Sequence, residues 1–143
     1  MEGLVINCLK ENYITKKKLS QSCTEHLKDV LEQQALHFQL DPVLVNVCGK
    51  EVHHLCSNEE KNNDGQVEEC LKTNFDQLVS KDCKRHIALL ISAAQVDIQA
   101  DPLLHRACAI DLVTYCKDVP SGDGRRKKFN SFNHLVITRA ILF

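Results

Sequence analysis

The sequence predicts an all-α protein, a tandem array of disulfide-stapled antiparallel helical repeats of about 60 residues. Three observations predict it. The cysteines recur: sixty positions after Cys23, Cys48 and Cys56 stand Cys83, Cys108 and Cys116, and sixty-two after Cys8 stands Cys70. The apolar residues fall at a spacing of about 3.6, the helical period, rather than 2. An Asp-Pro opens the same pattern twice, "LDPVLVNVCGKEVHHLC" from Leu40 and "ADPLLHRACAIDLVTYC" from Ala100.

The opening "MEGLVINCLKENY" matches the later "NNDGQVEECLKTNF" at glycine, valine, cysteine, leucine, lysine and asparagine positions. The chain is therefore expected to open inside the last helix of a repeat, as a segment cut from a longer array. The first segment of the complete repeat, segment A, carries Cys23, Leu27, Val30, Leu31 and Phe38 on one stripe, with Glu25, Lys28, Asp29, Glu32 and Gln33 facing away. Its second copy puts Cys83, Ile87, Leu90, Ile91, Ala94 and Ile98 in the same places.

Segment B follows the Asp-Pro. A carboxylate at Asp41 or Asp101 can accept from first-turn N–H groups, and Pro42 or Pro102 at the first helical position loses no bond. The buried stripe is Leu44, Val47, Cys48, Val52, Leu55 and Cys56, matched by Leu104, Ala107, Cys108, Leu112, Tyr115 and Cys116. Segment C begins after a turn at Asn62–Gly65, has Glu68 and Glu69 in its first turn, and buries Val67, Cys70, Leu71, Phe75 and Leu78.

Composition narrows the use. A net charge of −1 gives no bias toward nucleic acid or an anionic membrane, and no run approaches the roughly 20 apolar residues of a membrane span. No charged-then-apolar leader follows Met1, so no signal peptide is visible. With no Trp, two Tyr and five Phe, the core has few large side chains, and eight cysteines are available to cross-link it.

Taking A and B as an antiparallel hairpin turning near Leu40, Cys23 faces Cys56 and Cys83 faces Cys116; a B–C turn near residue 60 brings Cys48 to Cys70. The expected bonds are thus Cys23–Cys56, Cys48–Cys70 and Cys83–Cys116, with Cys8 and Cys108 unpaired and open to adventitious cross-links. The alternative use of these side chains is zinc in an intracellular helical module, since Cys23-x2-His26 and Cys83-x2-His86 recur and Cys48, His53, His54 and Cys56 are crowded. Against it, His53 and His54 become Val113 and Thr114 while the aligned cysteines persist, and no Cys-x2–4-Cys knuckle occurs. No metal site and no cofactor are assigned. No Gly-rich elbow, phosphate loop or metalloprotease helix supports catalysis, and no Asn-x-Ser/Thr occurs. Arg125–Lys128, "RRKK", reads as a solvated turn.

The spacing Cys-x24-Cys-x7-Cys followed by "GQVEECL" (Gly65–Leu71), then Cys83, Cys108 and Cys116, resembles the cysteine-rich repeats of the Golgi apparatus protein 1 family, whose members are also described as cysteine-rich fibroblast growth factor receptors and E-selectin ligands. The resemblance covers roughly residues 3–124. It implies the luminal side of a Golgi membrane glycoprotein that binds fibroblast growth factors, and E-selectin only when full-length and glycosylated, with no catalysis and no nucleic acid. It assigns no ligand-binding residue. The expected organisation is the last helix of one repeat over 1–19, a complete repeat over 20–79, a truncated repeat over 80–124 and a non-repeat tail over 125–143, where Phe129 or Asn130 stands in place of a cysteine.

Overall fold

A computed structural model describes residues 3–62, 64–97 and 100–118. Their regular structure is helical throughout: α1 (Leu4–Ile14), α2 (Gln21–Leu36), α3 (Pro42–Leu55), a short α4 (Ser57–Glu60), α5 (Gln66–Thr73), α6 (Lys81–Val96), α7 (Pro102–Ala107) and α8 (Ala109–Tyr115), with 3-10 turns at Phe38–Leu40 and Phe75–Gln77. In repeat terms, α1 and α5 are C helices, α2 and α6 are A helices, α3 is the first B helix, and α7 with α8 make the second. The tail, including "RRKK" and Phe129, lies outside the described residues, as does Ile98.

The helix starts repeat in chemistry as well as in position. Ser20 and Ser80 open α2 and α6, each hydroxyl accepting from the N–H of Cys23 or Cys83 at 3.2 Å. Asp41 and Asp101 open the B helices as expected. Asp41 Oδ1 accepts from the N–H groups of Val43 and Leu44 at 3.1 Å, and Asp101 Oδ1 from that of Leu104 at 3.2 Å. Gly3 and Gly65 precede α1 and α5 at φ 85° and 82°, a left-handed conformation that costs glycine nothing. Gly3 has a further constraint, because a Cβ there would lie 2.7 Å from Pro42 Cγ.

The packing unit differs from the expected A–B hairpin. The helix α3 lies along α6, the A helix of the following repeat, and its other neighbours include α4 and α5, whereas α2 packs with α1, α5 and α7. The main core accordingly joins Leu44, Cys48 and Val52 of α3 to Val67 and Leu71 of α5 and to Cys83, Ile87 and Leu90 of α6. Burial of each of its larger aliphatic side chains contributes about 1.5–3 kcal/mol. A second cluster sets Leu27 and Leu31 of α2 against Ala93 of α6, with Leu9 and Tyr13 of α1 at its margin. Leu112 and Cys116 form a small third cluster with Leu104 and Cys108. The repeat in sequence is thus A–B–C, but the unit that shares one core is B, C and the next A.

Candidate functional site: the cysteine frame, a buried ion cluster and a groove

Two disulfides hold that core. Cys48 of α3 is bonded to Cys83 of α6, with Cα atoms 4.9 Å apart, and Cys56 at the end of α3 is bonded to Cys70 of α5, with Cα atoms 6.0 Å apart. This corrects all three expected bonds: Cys23–Cys56, Cys48–Cys70 and Cys83–Cys116 are replaced. The physical reason is the choice of neighbour. Counting residues outward from the A–B turn presumes that B lies against its own A, and α3 lies against the next one. The B–C turn is also broad, since α4 and the residues up to Gly65 separate α3 from α5, so Cys70 meets the last residue of the B segment rather than its middle. Cys8, Cys23, Cys108 and Cys116 are free thiols; Cys8 is exposed and Cys116 buried. Burial, with the carboxylates of Asp111 and Asp101, pushes the Cys108 thiol up and so disfavours its thiolate.

Beside this frame sits an ion cluster whose members are far apart in sequence. Asp41 Oδ2 accepts from Lys10 Nζ of α1 at 3.0 Å and from His86 Nε2 of α6 at 2.8 Å, and none of the three side chains is more than 4% exposed. Burial pushes the Asp41 carboxyl up, but the His86 hydrogen bond, the charge of Lys10 and the backbone donors outweigh it and hold the carboxyl far below the usual range. Among the described residues His86 Nδ1 has no hydrogen-bond partner, and the ring meets the carboxylate through Nε2. One carboxylate therefore caps a helix with one oxygen and ties two other helices with the second.

The same arrangement recurs one repeat later in looser form. Lys72 occupies the place of Lys10 and lies 2.6 Å from Glu68. Burial pushes its amine down, but Glu68 and then Asp101, the counterpart of Asp41, outweigh this and raise it. Gly65 lies near the Leu103 side chain just as Gly3 lies near Pro42 and Val43. Each C helix thus docks on the start of the next B helix in one register. In the sequence His26 and His86 stand out only for their zinc-like spacing from Cys23 and Cys83, and Lys10 does not stand out at all. Its signal was a lysine two residues after a cysteine in both C helices.

A groove of about 600 Å³ runs along the outer side of α3. It is lined by Val47, Lys50, Glu51, His54 and Leu55 of α3, and by Gln77, Val79 and Asp82 across from them. Glu51 closes one end by accepting from the Ser80 N–H at 2.9 Å, while Val79 is 89% exposed at the rim. Its volume is in the range of small-ligand sites, and its mixed charges flank an apolar floor. For metal binding, the one group of three donors among the described residues is Cys56, Glu59 and Cys70, within 4.8 Å of one another, and both sulfurs there belong to a disulfide. No helix among the described residues is long and apolar enough to cross a membrane.

Comparison with known proteins follows the cysteine frame. The family model described as "Cysteine rich repeat" matches residues 21–79 and again 81–126. The chain is 38% identical over 128 residues to Golgi apparatus protein 1 of Gallus gallus and 37% identical over 128 residues to that of Homo sapiens, covering 88% of this chain and 11% of each relative. It is 32% identical over 136 residues to the Golgi apparatus protein 1 homolog of Caenorhabditis elegans, covering 87% of this chain and 12% of that relative. The chain thus spans about a tenth of the length of these relatives. No solved structure matches it.

Proposed function

Because the chain belongs to the cysteine-rich repeat family, we propose that it is a non-catalytic repeat segment of a secretory-pathway membrane glycoprotein that binds fibroblast growth factors and acts in their trafficking. The observation that carries this reading is the doubled family match, which spans every cysteine from Cys23 to Cys116, on relatives named for the Golgi apparatus. The reading places the segment on the luminal side of the Golgi membrane, an oxidising compartment in which Cys48–Cys83 and Cys56–Cys70 persist. It divides the chain near residues 20, 80 and 124. Nucleic acid has no part in it, and E-selectin is a partner only of the glycosylated whole.

The groove along α3 is the surface this reading gives to the growth factor. Lys50, Glu51, His54 and Asp82 supply charged contacts around Val47, Leu55 and the exposed Val79. In this reading the segment is non-catalytic, and Lys10, Asp41 and His86, closed from solvent, serve the structure.

The test is equilibrium binding of a fibroblast growth factor to the oxidised chain. Measurable affinity is expected, abolished by reduction and lowered at least tenfold by Val79→Asp with Lys50→Glu. Absence of binding by both this chain and the full-length luminal region would refute the reading. The alternative of an intracellular zinc module has one observation in its favour, the Cys56, Glu59 and Cys70 group. Stoichiometric zinc on reduced thiols would establish it; two disulfides and no zinc in the purified protein would exclude it.

A further inference from the structure

Four positions at one end of the molecule carry the residues of a completed seam without the seam. In the complete unit, helix α3 covers Val67, bonds Cys70 through Cys56, bonds Cys83 through Cys48, and reaches His86 through Asp41. The counterparts one repeat earlier are Val5, Cys8, Cys23 and His26, on α1 and α2. Val67 is 2% exposed and Val5 74%. Cys70 and Cys83 are bonded, whereas Cys8 and Cys23 are free thiols. His86 is buried against a carboxylate, while the His26 ring is exposed.

These four differences point the same way. Each is the loss of one contact that a B helix makes, and they concern an apolar, two thiol and one imidazole group independently. We infer that Val5, Cys8, Cys23 and His26 form a docking seam for the two-cysteine helix of another cysteine-rich repeat. Its second cysteine bonds Cys8, its first bonds Cys23, and its leading aspartate reaches His26. The register of α1 supports this, because α1 already repeats the docking of α5 on the B helix that follows it, at Gly3 and Lys10. The occupant is therefore a helix of the α3 type, with an N-capping aspartate and cysteines eight residues apart.

Closing the seam is an oxidation. In each bond two thiols give up two electrons and two protons to one oxidised glutathione, which leaves as two reduced glutathiones, and the two bonds consume two such disulfides. The exposed Cys8 forms a mixed disulfide with glutathione first, and the incoming cysteine displaces it.

The experiment uses the full chain with its two native disulfides formed and a synthetic peptide of residues 40–57, which carries Asp41, Cys48 and Cys56. The two are mixed in a glutathione redox buffer and the products mapped without reduction. The expected product joins peptide Cys56 to Cys8 and peptide Cys48 to Cys23. Val5→Asp, at a site too exposed to unfold the chain, lowers its yield at least tenfold, and Cys23→Ser leaves a single bond at Cys8. The inference is overturned by the reversed pairing, by a bond between Cys8 and Cys23 themselves, by glutathione caps alone on both thiols, or by a yield indifferent to Val5→Asp.

Discussion

The two B helices are the most instructive pair in the molecule. The first, α3, contains Gly49 and four valines, residues that favour the helix poorly, yet it runs unbroken from Pro42 to Leu55. The second has Ala109 where the first has Gly49, and an alanine on each side of Cys108, yet it breaks at Cys108 into α7 and α8. Local preference predicts the reverse. The difference lies in what each helix is tied to: α3 is bonded through Cys48 and Cys56, whereas Cys108 and Cys116 are free. Outward residues of α8 such as Ile110 and Val113 are 82% and 72% exposed. Helix continuity here is a property of packing and cross-links, as is general for short helices.

The sharpest way to break the comparison is at the two capping aspartates. Asp41→Asn leaves Lys10 buried without its carboxylate and should cost about 3–5 kcal/mol in urea unfolding. Asp101→Asn keeps a capping side chain and leaves Lys72 its direct partner Glu68, and should cost about 1 kcal/mol or less. Equal costs would mean that the buried cluster contributes little beyond capping.

The next effect concerns the bonds. Replacing both Cys48 and Cys83 by serine opens a loop with sequence separation 35 and should cost about 4 kcal/mol. Replacing Cys56 and Cys70 opens one of separation 14, at about 3 kcal/mol. Cys108→Ser should stay within about 0.5 kcal/mol. Amide hydrogen exchange in the first double variant should show α3 opening as readily as α7 and α8 do in the native chain. If α3 remained fully protected, the bonds would not be what keeps it whole.

Acid separates the regions as well. The folded Asp41 carboxyl lies below its unfolded value, so its contribution is present above about pH 4, the ordinary range for a free aspartate. That contribution is lost as pH falls toward the folded value. Thermal unfolding followed from pH 5 downward should therefore lose stability steeply below about pH 4 in the native chain, and less steeply in Asp41→Asn. Parallel curves for the two would remove Asp41 as the acid-sensitive group.

The smallest effect exchanges the local preferences. A Cβ at Gly49 would touch nothing within 4 Å, so Gly49→Ala should stabilise α3 by about 0.5–1 kcal/mol. Ala109→Gly should destabilise the already broken second B helix by about as much, with a small loss of circular dichroism at 222 nm.

Much of this was legible in the sequence. The helices of the repeat, the Asp-Pro starts and the turn before Gln66 all rest on local signals, namely periodicity, capping residues and a glycine. The bonds were not legible, because hairpin counting fixes distance from a turn but not which helix lies across it. Cys48 reaches past its own repeat to Cys83, and nothing local to either marks that. The ion cluster was hidden for the same reason, joining residues 31 and 45 positions from Asp41. The serine caps at Ser20 and Ser80, three residues before a cysteine in both A helices, could have been found from the repeat alone.

The bond between Cys48 and Cys83 also has a mechanical meaning. It spans the junction between the two family matches at residues 79 and 81, and it encloses the Cys56–Cys70 loop inside its own. A pull on the two ends of the chain passes from Cys48 straight to Cys83, leaving the 35-residue separation between them slack. At about 3.5 Å per residue that shields roughly 120 Å of contour length from extension. Under load the segment from Cys48 to Cys83 therefore stays short, while the helices on either side of it, α1 and α2 before and α7 and α8 after, bear the pull. Only reduction, not force of the size that unfolds helices, would release that enclosed segment.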